Sequence, residues 1–354
     1  SGQGVSWADP LWTATSTSIS NIMKKNNTGM KFVDPTGDLV VEKNGDFFVD
    51  DTATGVTENK INDDKTVLEH LQKDEQKHAF LLFASGHLLA LFKCVFYYYA
   101  FKLVGTKFVH TRNEELPGKM FLKSKYGGED EEIIRLQPDE AHKTLGCHIS
   151  VDMSQKKQLE IVSDIITTWT RKIQSSPLSS SDKLHAYKSI LEKKLLYVLP
   201  TCSFTYEQCR KLDKLLSRTL LNIHGIQRNC NRNVLYTTKE LGGLNIYSMY
   251  HLQGTSKIQF LFRHYRNNDT TGNLMKISMR YTQLETGLSK PYYTYNYYKA
   301  HYLATPTWHT NIWQYCSESH VRLREEDPWV YDHPREHDFH LMDIVLRSDI
   351  TQEQ

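Results

Sequence analysis

Residues 45–55 read GDFFVDDTATG, and this stretch decides how the first part of the chain is interpreted. Three apolar residues, Phe47, Phe48 and Val49, lead directly into two neighbouring carboxylates, Asp50 and Asp51. Aspartate is common in turns because its side chain bonds to the local backbone. Two interpretations therefore stay open at this point: an ordinary turn, or a strand that presents a pair of acidic side chains at its end.

The composition is that of a globular protein. With 354 residues the chain is long enough for two domains and a sizeable core. Its six cysteines are scattered without a Cys-x-x-Cys pair, which argues against a zinc knuckle or a disulfide framework and indicates a reducing compartment. Residues 79–101 have the length of a bilayer span, but Lys93 interrupts them, and a charge within a bilayer is costly. We therefore expect no membrane span.

Charge is segregated along the chain, although the net charge is only +2. Residues 154–266 contain 18 lysines and arginines and 7 acidic residues, which makes +11. The rest of the chain contains 25 basic and 34 acidic residues, which makes −9. Such a basic segment indicates a surface that binds a polyanion such as nucleic acid. The alternative is a set of solvated helix faces, which ordinarily carry mixed charge.

Hydrophobic periodicity divides the chain into three parts. It predicts helices at 9–24, 63–84, 155–174, 182–198, 205–223 and in a stretch that ends near 267. Short β-like runs occur at 38–42, 46–50, 88–98, 106–110, 132–136 and 144–151, and Asn44-Gly45 is a hairpin signal between the first two. Residues 1–153 are therefore predicted to be mixed α and β, and residues 154–267 helical. The sequence assigns no role to residues 268–354.

Five motifs follow one another in a fixed order. They are SGQG (1–4), FVDD (48–51), SGHLLALFKCVFYY (85–98), KTLGCHIS (143–150) and GGLNI (242–246). This order resembles the reverse transcriptases of non-LTR retrotransposons, over the second half of the palm and the thumb. FVDD is similar to the family's Asp-Asp motif, and SGQG to its Gln-Gly segment. KTLGCHIS resembles the primer-grip hairpin, and the resemblance covers roughly residues 1–267.

The resemblance implies an α+β fold: a partial right-hand polymerase palm, with an antiparallel sheet and helices, in 1–153, followed by an all-helical basic thumb in 154–267. It implies that Asp50 and Asp51 are catalytic and bind Mg²⁺ (or Mn²⁺) for a two-metal nucleotidyl transfer. Adjacent side chains of a straight strand face opposite ways, so both can address one metal site only where the strand bends.

Further roles follow from the same resemblance. Lys93 would stabilise or protonate the leaving pyrophosphate, the alternative being a lysine that extends out of an apolar strand. Gln3 and Gly4 would lie beside the incoming nucleotide and the template, and Leu145 and Gly146 would grip the primer end. Basic thumb residues would contact phosphates of the template–primer duplex without reading its sequence. These are Lys156, Lys157, Arg171, Lys172, Lys193, Lys194, Arg210 and Lys211.

The family also requires a metal-binding aspartate and basic fingers residues upstream of its Gln-Gly segment. VSWADP (5–10) departs from the Pro-x-Ser-Pro spacing that usually follows that segment. We therefore expect a fragment of an RNA-directed DNA polymerase that is inactive alone. Its partners would be an RNA template, a DNA primer and the missing N-terminal fingers and palm portion of the same polyprotein.

Two alternatives remain at this stage. One is a non-catalytic nucleic-acid-binding protein derived from a reverse transcriptase, and the other is an unrelated metal-dependent phosphotransferase. The sequence leaves both the nucleus and the cytoplasm open as places of action.

Overall fold

The computed structural model describes residues 8–26, 29–48, 51–57, 64–105, 107–227, 229–324, 329–330 and 340–347. The fold is mixed α and β, with helices and small, mostly antiparallel sheets. The chain divides into two compact units, the first formed by residues 1–32 with 40–154 and the second by residues 33–39 with 155–354. Within the described ranges no helix combines the length and the apolar character needed to cross a membrane.

Among the described residues, the strands lie in the first 150 positions, in five small sheets. Two helices accompany them, α1 (Ala8–Asn26) and α2 (Asp64–Ala84). Strands β1 and β2 pair, as do β3 and β4, β6 and β7, and β10 and β11, while β5, β9 and β8 form a three-stranded sheet in that order. The strands are β1 (Met30–Val33), β2 (Val40–Lys43), β3 (Gly45–Phe48), β4 (Asp51–Thr54), β5 (Val95–Tyr97), β6 (Phe101–Val104), β7 (Lys107–His110), β8 (Met120–Leu122), β9 (Glu131–Leu136), β10 (His142–Thr144) and β11 (Cys147–Ile149).

Helix α2 covers the three-stranded sheet. Leu68 and Leu71 of α2 pack on a buried cluster that includes Phe96, Met120 and Ile133 of the strands. The helix predicted for 63–84 is thus confirmed, and Val67, Leu68 and Leu71 on its apolar face pack against this core. Because one face of the helix and one face of the sheet bury each other, the pair forms a two-layer arrangement.

The hairpin predicted at Asn44-Gly45 is wrong. Strand β2 pairs with β1, and β3 pairs with β4, so β2 and β3 are not partners. Asn44 directs its side-chain amide to the carbonyl of Met23, at 3.3 Å. Gly45 serves a different purpose from a turn, because a Cβ on it would lie 2.7 Å from the carbonyl oxygen of Ala53. The glycine therefore allows close approach of two strands.

The second unit is helical. Its helices are α3 (Lys156–Ser175), α4 (Ser180–Ala186), α5 (Glu192–Val198), α6 (Tyr206–Ile223), α7 (Asn233–Tyr236), α8 (Met249–Asn267), α9 (Thr270–Thr286), α10 (Tyr297–Ala300), α11 (Trp308–Glu318) and α12 (Leu341–Arg347). A π-helical turn over Tyr187–Leu191 joins α4 to α5. The helices predicted for 155–174, 182–198 and 205–223 are confirmed, and the one ending near 267 is α8.

The core of the second unit extends into the last part of the chain. Ile166 of α3, Leu195 of α5 and Leu216 of α6 are almost completely buried. Helix α11 packs closely on α8, where Gly254 leaves room for the ring of Tyr315. A further buried cluster joins Leu288, Tyr292, Ala300 and Trp313. Residues beyond 267, to which the sequence assigned no role, therefore complete this core.

Candidate functional site

One residue of the Asp-Asp motif, Asp51, lies at the start of the second strand of the β3–β4 pair. The two strands are antiparallel, and their register pairs Gly45 with Thr54, Phe47 with Thr52 and Phe48 with Asp51. Asp51 is the first residue of β4 and is exposed. Asp50 lies outside the described residues, as do Gln3 and Gly4.

The inner face of this hairpin is fixed to α2. The ring of Phe47 contacts the ring of His78 edge-on, with centroids 6.0 Å apart, and packs on a core that includes Leu82. Opposite Gly45, the hydroxyl of Thr54 donates to the carboxylate of Glu75. Phe47 thus anchors the hairpin to α2, while Asp51 remains exposed to solvent.

The carboxylate chemistry of the motif suits Mg²⁺, which prefers hard oxygen ligands. Across the part of the chain that the structure describes, no three His, Cys, Asp or Glu side chains are arranged to bind a metal ion. Asp46 lies on the same hairpin, but its carboxylate is paired with Lys43 at 2.7 Å. The described residues therefore contribute one available carboxylate, that of Asp51, to the predicted metal site.

Lys93 is exposed at the end of a 3-10 turn over Leu91–Lys93. The β-like run predicted for 88–98 is wrong over this turn, since the strand proper is β5, from Val95 to Tyr97. Lys93 is therefore not a lysine that extends out of a strand. Its ammonium lies 5.6 Å from the ring centroid of Phe92, which is itself 77 % exposed. The charge is free to meet an anion from solvent.

Leu145 and Gly146 form the tip of the β10–β11 hairpin. Thr144 pairs with Cys147, and the two residues between them have φ angles of 49° and 85°. Two positive φ angles in a two-residue connection are typical of a type I′ turn, in which Asn-Gly is the preferred sequence. Leucine in this conformation costs about 1 kcal/mol. Strained residues cluster at functional sites, which makes Leu145 a candidate for such a role.

The eight basic residues proposed for phosphate contacts are all exposed on helices of the second unit. Two of them form ion pairs within their own helix, Lys157 with Glu160 at 3.2 Å and Arg210 with Glu207 at 3.5 Å. Exposed pairs of this kind contribute little to stability. These cations are therefore available to an external polyanion.

Lys257 is the exception in the basic segment, because its side chain is completely buried. Its ammonium donates to the hydroxyl of Ser203 at 2.8 Å and to the side-chain carbonyl of Asn311 at 2.6 Å. Burial lowers its pKa to about 7. Lys257 ties the segment before α6 to α8 and α11, and it cannot contact a ligand.

The second unit also contains a cleft of about 620 Å³ that the sequence did not indicate. Helix α6 forms one wall, α7 with Arg232 the other, and the first turn of α8 the floor. Its lining is basic and aromatic, and includes Arg210, Lys214, Arg232 and Tyr206. Of the predicted site residues it contains Arg210. One feature of the sequence could have indicated this cleft: Tyr206, Arg210 and Lys214 are spaced by four, which places them on one face of a helix.

Asp213 lies in the same cleft and is the acidic member of its lining. Its carboxylate accepts a hydrogen bond from the backbone amide of Met249 at 3.0 Å. Burial raises its pKa to about 6, although that hydrogen bond opposes the shift. The carboxylate thus secures the start of α8 and leaves the cationic side chains as the dominant charge of the cleft.

Comparisons of the chain with family models, with curated proteins and with solved structures find no match.

Proposed function

We propose that this chain is the C-terminal palm and thumb portion of a retrotransposon-type reverse transcriptase, and that it binds the RNA template and DNA primer. The observation that carries the proposal is the register of β3 and β4. Phe48, the last residue of β3, pairs in antiparallel register with Asp51, which begins β4 and is the second residue of the Asp-Asp motif. A bend at this point is what two adjacent carboxylates need to address one metal site.

The chemistry proposed for the pair is metal-assisted transfer of a nucleotide. Asp50 is the main ligand of Mg²⁺ (or Mn²⁺), Asp51 supports it, and Lys93 meets charge on the leaving pyrophosphate. When bound, two metal ions stabilise the attacking and leaving oxygens of an in-line displacement. The family's remaining carboxylate belongs to an earlier palm strand, and we assign polymerase activity to an enzyme that contains it.

The role of the second unit is to hold the duplex through its phosphates. The eight exposed cations on α3, α5 and α6 support this role because lysine and arginine contacts to phosphates release counterions and depend on salt rather than on base sequence. The proposal assigns residues 1–153 to the palm and residues 154–267 to the thumb.

Duplex binding is tested with a labelled RNA·DNA heteroduplex and the whole chain, by fluorescence anisotropy across a range of salt. The test variant carries Arg171→Gln, Lys172→Gln, Lys193→Gln and Lys194→Gln. We expect its Kd at about 0.1 M salt to rise at least tenfold, and the logarithmic salt slope to fall by up to about 4. The control variant, Lys24→Gln with Lys25→Gln, removes two exposed cations from α1, outside the proposed phosphate surface. If the variant with four substitutions kept the salt slope of the original chain, the phosphate role would be refuted.

The metal site is tested by counting Mn²⁺ bound to the chain–heteroduplex complex, using electron paramagnetic resonance. We expect Asp50→Asn and Asp51→Asn to reduce the bound Mn²⁺ without weakening the duplex complex. If neither variant changes Mn²⁺ binding, the alternative of a non-catalytic nucleic-acid-binding protein is favoured. Primer extension with Mg²⁺ completes the test, since strong Asp50-dependent synthesis by this chain would contradict the expected need for the rest of the enzyme.

A further inference from the structure

One wall of the cleft in the second unit is a face of helix α6. Tyr206, Arg210, Asp213, Lys214 and Ser217 recur at spacings of three and four, so they line one face of the helix. The helix begins with a capping box between Thr205 and Gln208, which fixes its first turn and therefore Tyr206. The wall is thus rigid at the end where the aromatic ring lies.

The opposite wall is held by the GGLNI segment. The amides of Leu244 and Ile246 donate to the carbonyls of Val234 and Leu235, at 2.9 and 2.8 Å. A Cβ on Gly243 would lie 2.1 Å from the carbonyl oxygen of Thr237, so glycine is needed for this approach. A helix of four residues such as α7 is not stable by itself. The segment clamps α7 in place, and with it the cleft residues Arg232 and Tyr236.

The charge of the cleft favours an anion. Arg210, Lys214 and Arg232 are exposed cations on its two walls. Asp213 is directed to the amide of Met249, and the carboxylate of Glu207 lies 3.5 Å from Arg210. Arginine presents a planar fork of donors that matches phosphate oxygens, which distinguishes this lining from a group of lysines.

The aromatic side chains form a supported platform. Tyr206 is 50 % exposed, and its ring contacts that of buried Tyr250 edge-on, with centroids 5.3 Å apart. Tyr250 in turn contacts Tyr315 of α11 at 5.3 Å. A half-exposed ring backed by buried rings offers its free surface to a planar ligand. A site for phosphate alone would not require this surface.

We propose that the cleft binds an unpaired nucleotide of a nucleic-acid strand, with the base on Tyr206 and the phosphates at Arg210, Lys214 and Arg232. Cationic grooves with aromatic stacking surfaces are the usual means of binding single strands without sequence preference. The cleft volume lies within the range of small-ligand sites. This inference rests on the proposed nucleic-acid function and adds a site for a single strand, which shares Arg210 with the surface proposed for duplex phosphates.

The test compares two probes on the whole chain by fluorescence anisotropy: a labelled single-stranded RNA of twelve uridines and a blunt RNA·DNA heteroduplex. For Tyr206→Ala we expect about a tenfold loss of affinity for the single strand, since base stacking on an aromatic ring is worth that order of binding. Affinity for the heteroduplex should change less than twofold. Arg232→Gln should weaken single-strand binding and reduce its salt slope by about 0.7.

Two further variants control for folding and for aromatic character. Tyr206→Phe keeps the ring and should retain single-strand affinity. Tyr281→Ala removes a ring on α9 that is 46 % exposed, a match for Tyr206, and should have no effect. An unchanged single-strand affinity in Tyr206→Ala would overturn the proposal, as would an equal loss for both probes. The proposal would also be overturned if uridine monophosphate or polyglutamate displaced the labelled single strand as effectively as unlabelled RNA does.

The failure of the site and the failure of the proposed function give different results. If the chain binds the heteroduplex but Tyr206→Ala leaves single-strand binding intact, the cleft assignment is wrong and the proposed function stands. If single-strand binding is strong and depends on Tyr206 while the heteroduplex is not bound, the cleft assignment stands and the duplex role is wrong. If neither probe binds, both are wrong.

Discussion

Two regions of the molecule, the β6–β7 hairpin of the first unit and the packed helices of the second, differ in which side chains they leave in contact with water. In the first unit, the β6–β7 hairpin exposes Phe101, Leu103 and Phe108 to 59, 61 and 74 %. In the second unit, the ammonium of Lys257 is enclosed with no exposure at all. An apolar residue is thus open in one unit and a charged one is buried in the other, so residue type alone did not decide burial.

The cause of the difference is the number of layers. Leu103 pairs with Phe108 and Phe101 with His110, which places these side chains on one face of a two-stranded ribbon. A ribbon of two strands has no second layer of its own and is marginally stable by itself. Helices α3, α5, α6, α8 and α11 surround one another instead, and a lysine caught among them is retained through its hydrogen bonds. We therefore expect the second unit to respond far more strongly to truncation.

Truncation of a buried phenylalanine gives the largest expected effect. Phe204 is completely buried, and its backbone amide and carbonyl both bond to the side chain of Gln253 at 3.0 Å. Phe204→Ala should lower the free energy of unfolding by about 3–5 kcal/mol. Peptide-resolved hydrogen exchange of α6 and α8 would measure it. Phe108→Ala is the matched control, with an expected change below about 0.5 kcal/mol. Similar losses in both variants would refute the contrast between the units.

The pH dependence of stability tests the buried lysine. The pKa of Lys257 is about 7 in the folded chain, below the ordinary lysine value of 10.5, so the unfolded chain binds more protons between these two values. The penalty for the buried charge is therefore full below pH 7 and decreases as the pH rises toward 10.5. Relative to Lys257→Met, the stability of the chain should rise by about 1.4 kcal/mol per pH unit above 7.

Chemical denaturation of the two proteins from about pH 6 to about pH 9.5 would supply the comparison. Lys257 is electrostatically coupled to His309 and Cys209, so the difference reports the lysine together with its effect on these two neighbours. A difference independent of pH would show that Lys257 is not desolvated in solution.

The glycines of GGLNI give a smaller effect. Gly243→Ala places a methyl group against the carbonyl of Thr237 and should cost about 1–3 kcal/mol, because a close backbone contact must open. Hydrogen exchange of the backbone amides in α7 would measure this loss of stability. Gly242→Ala is the control, since its φ is 80° with open space around it, and about 1 kcal/mol of conformational cost is expected. If Gly242→Ala cost more than Gly243→Ala, the clamp on α7 would be disproved.

The smallest effect is expected in the first unit, and it is a gain. Leu145→Asn places the preferred residue of a type I′ turn at a φ of 49°, which should stabilise the β10–β11 hairpin by about 0.5–1 kcal/mol. Exchange of the amides of β11 would detect the gain. If the proposed primer role is correct, the same variant should reduce primer use by the complete enzyme. A loss of stability would show that Leu145 is held by packing rather than strained.

Regular helices were predictable from the sequence because their apolar residues recur at spacings of three and four. This holds for α2, α3 and α6, each of which was predicted as a helix. The Asn44-Gly45 hairpin was not predictable, because a turn signal shows where a chain can reverse and not which strands become partners. At Gly45 the close approach of Ala53 decided the outcome.

The candidate sites also divide into features that the sequence could locate and features that it could not. The motif that resembles a primer-grip hairpin does contain a strand connection, at Leu145-Gly146, because a two-residue reversal depends on neighbouring residues. The cleft depends on Arg232 and Tyr206, which are 26 positions apart and meet across α6 and α7. Such a pairing has no periodic signature in the sequence.

By itself, the sequence determined the regular helices and the basic segment, because apolar periodicity and charge are properties of residues near one another in the chain. Only the tertiary structure decided which cations face solvent, which strands pair and where the aromatic cleft forms. Lys257 and Lys194 are both lysines of one basic segment, yet one is enclosed and the other exposed. Burial is set by the elements that pack around a residue, and these come from distant parts of the chain.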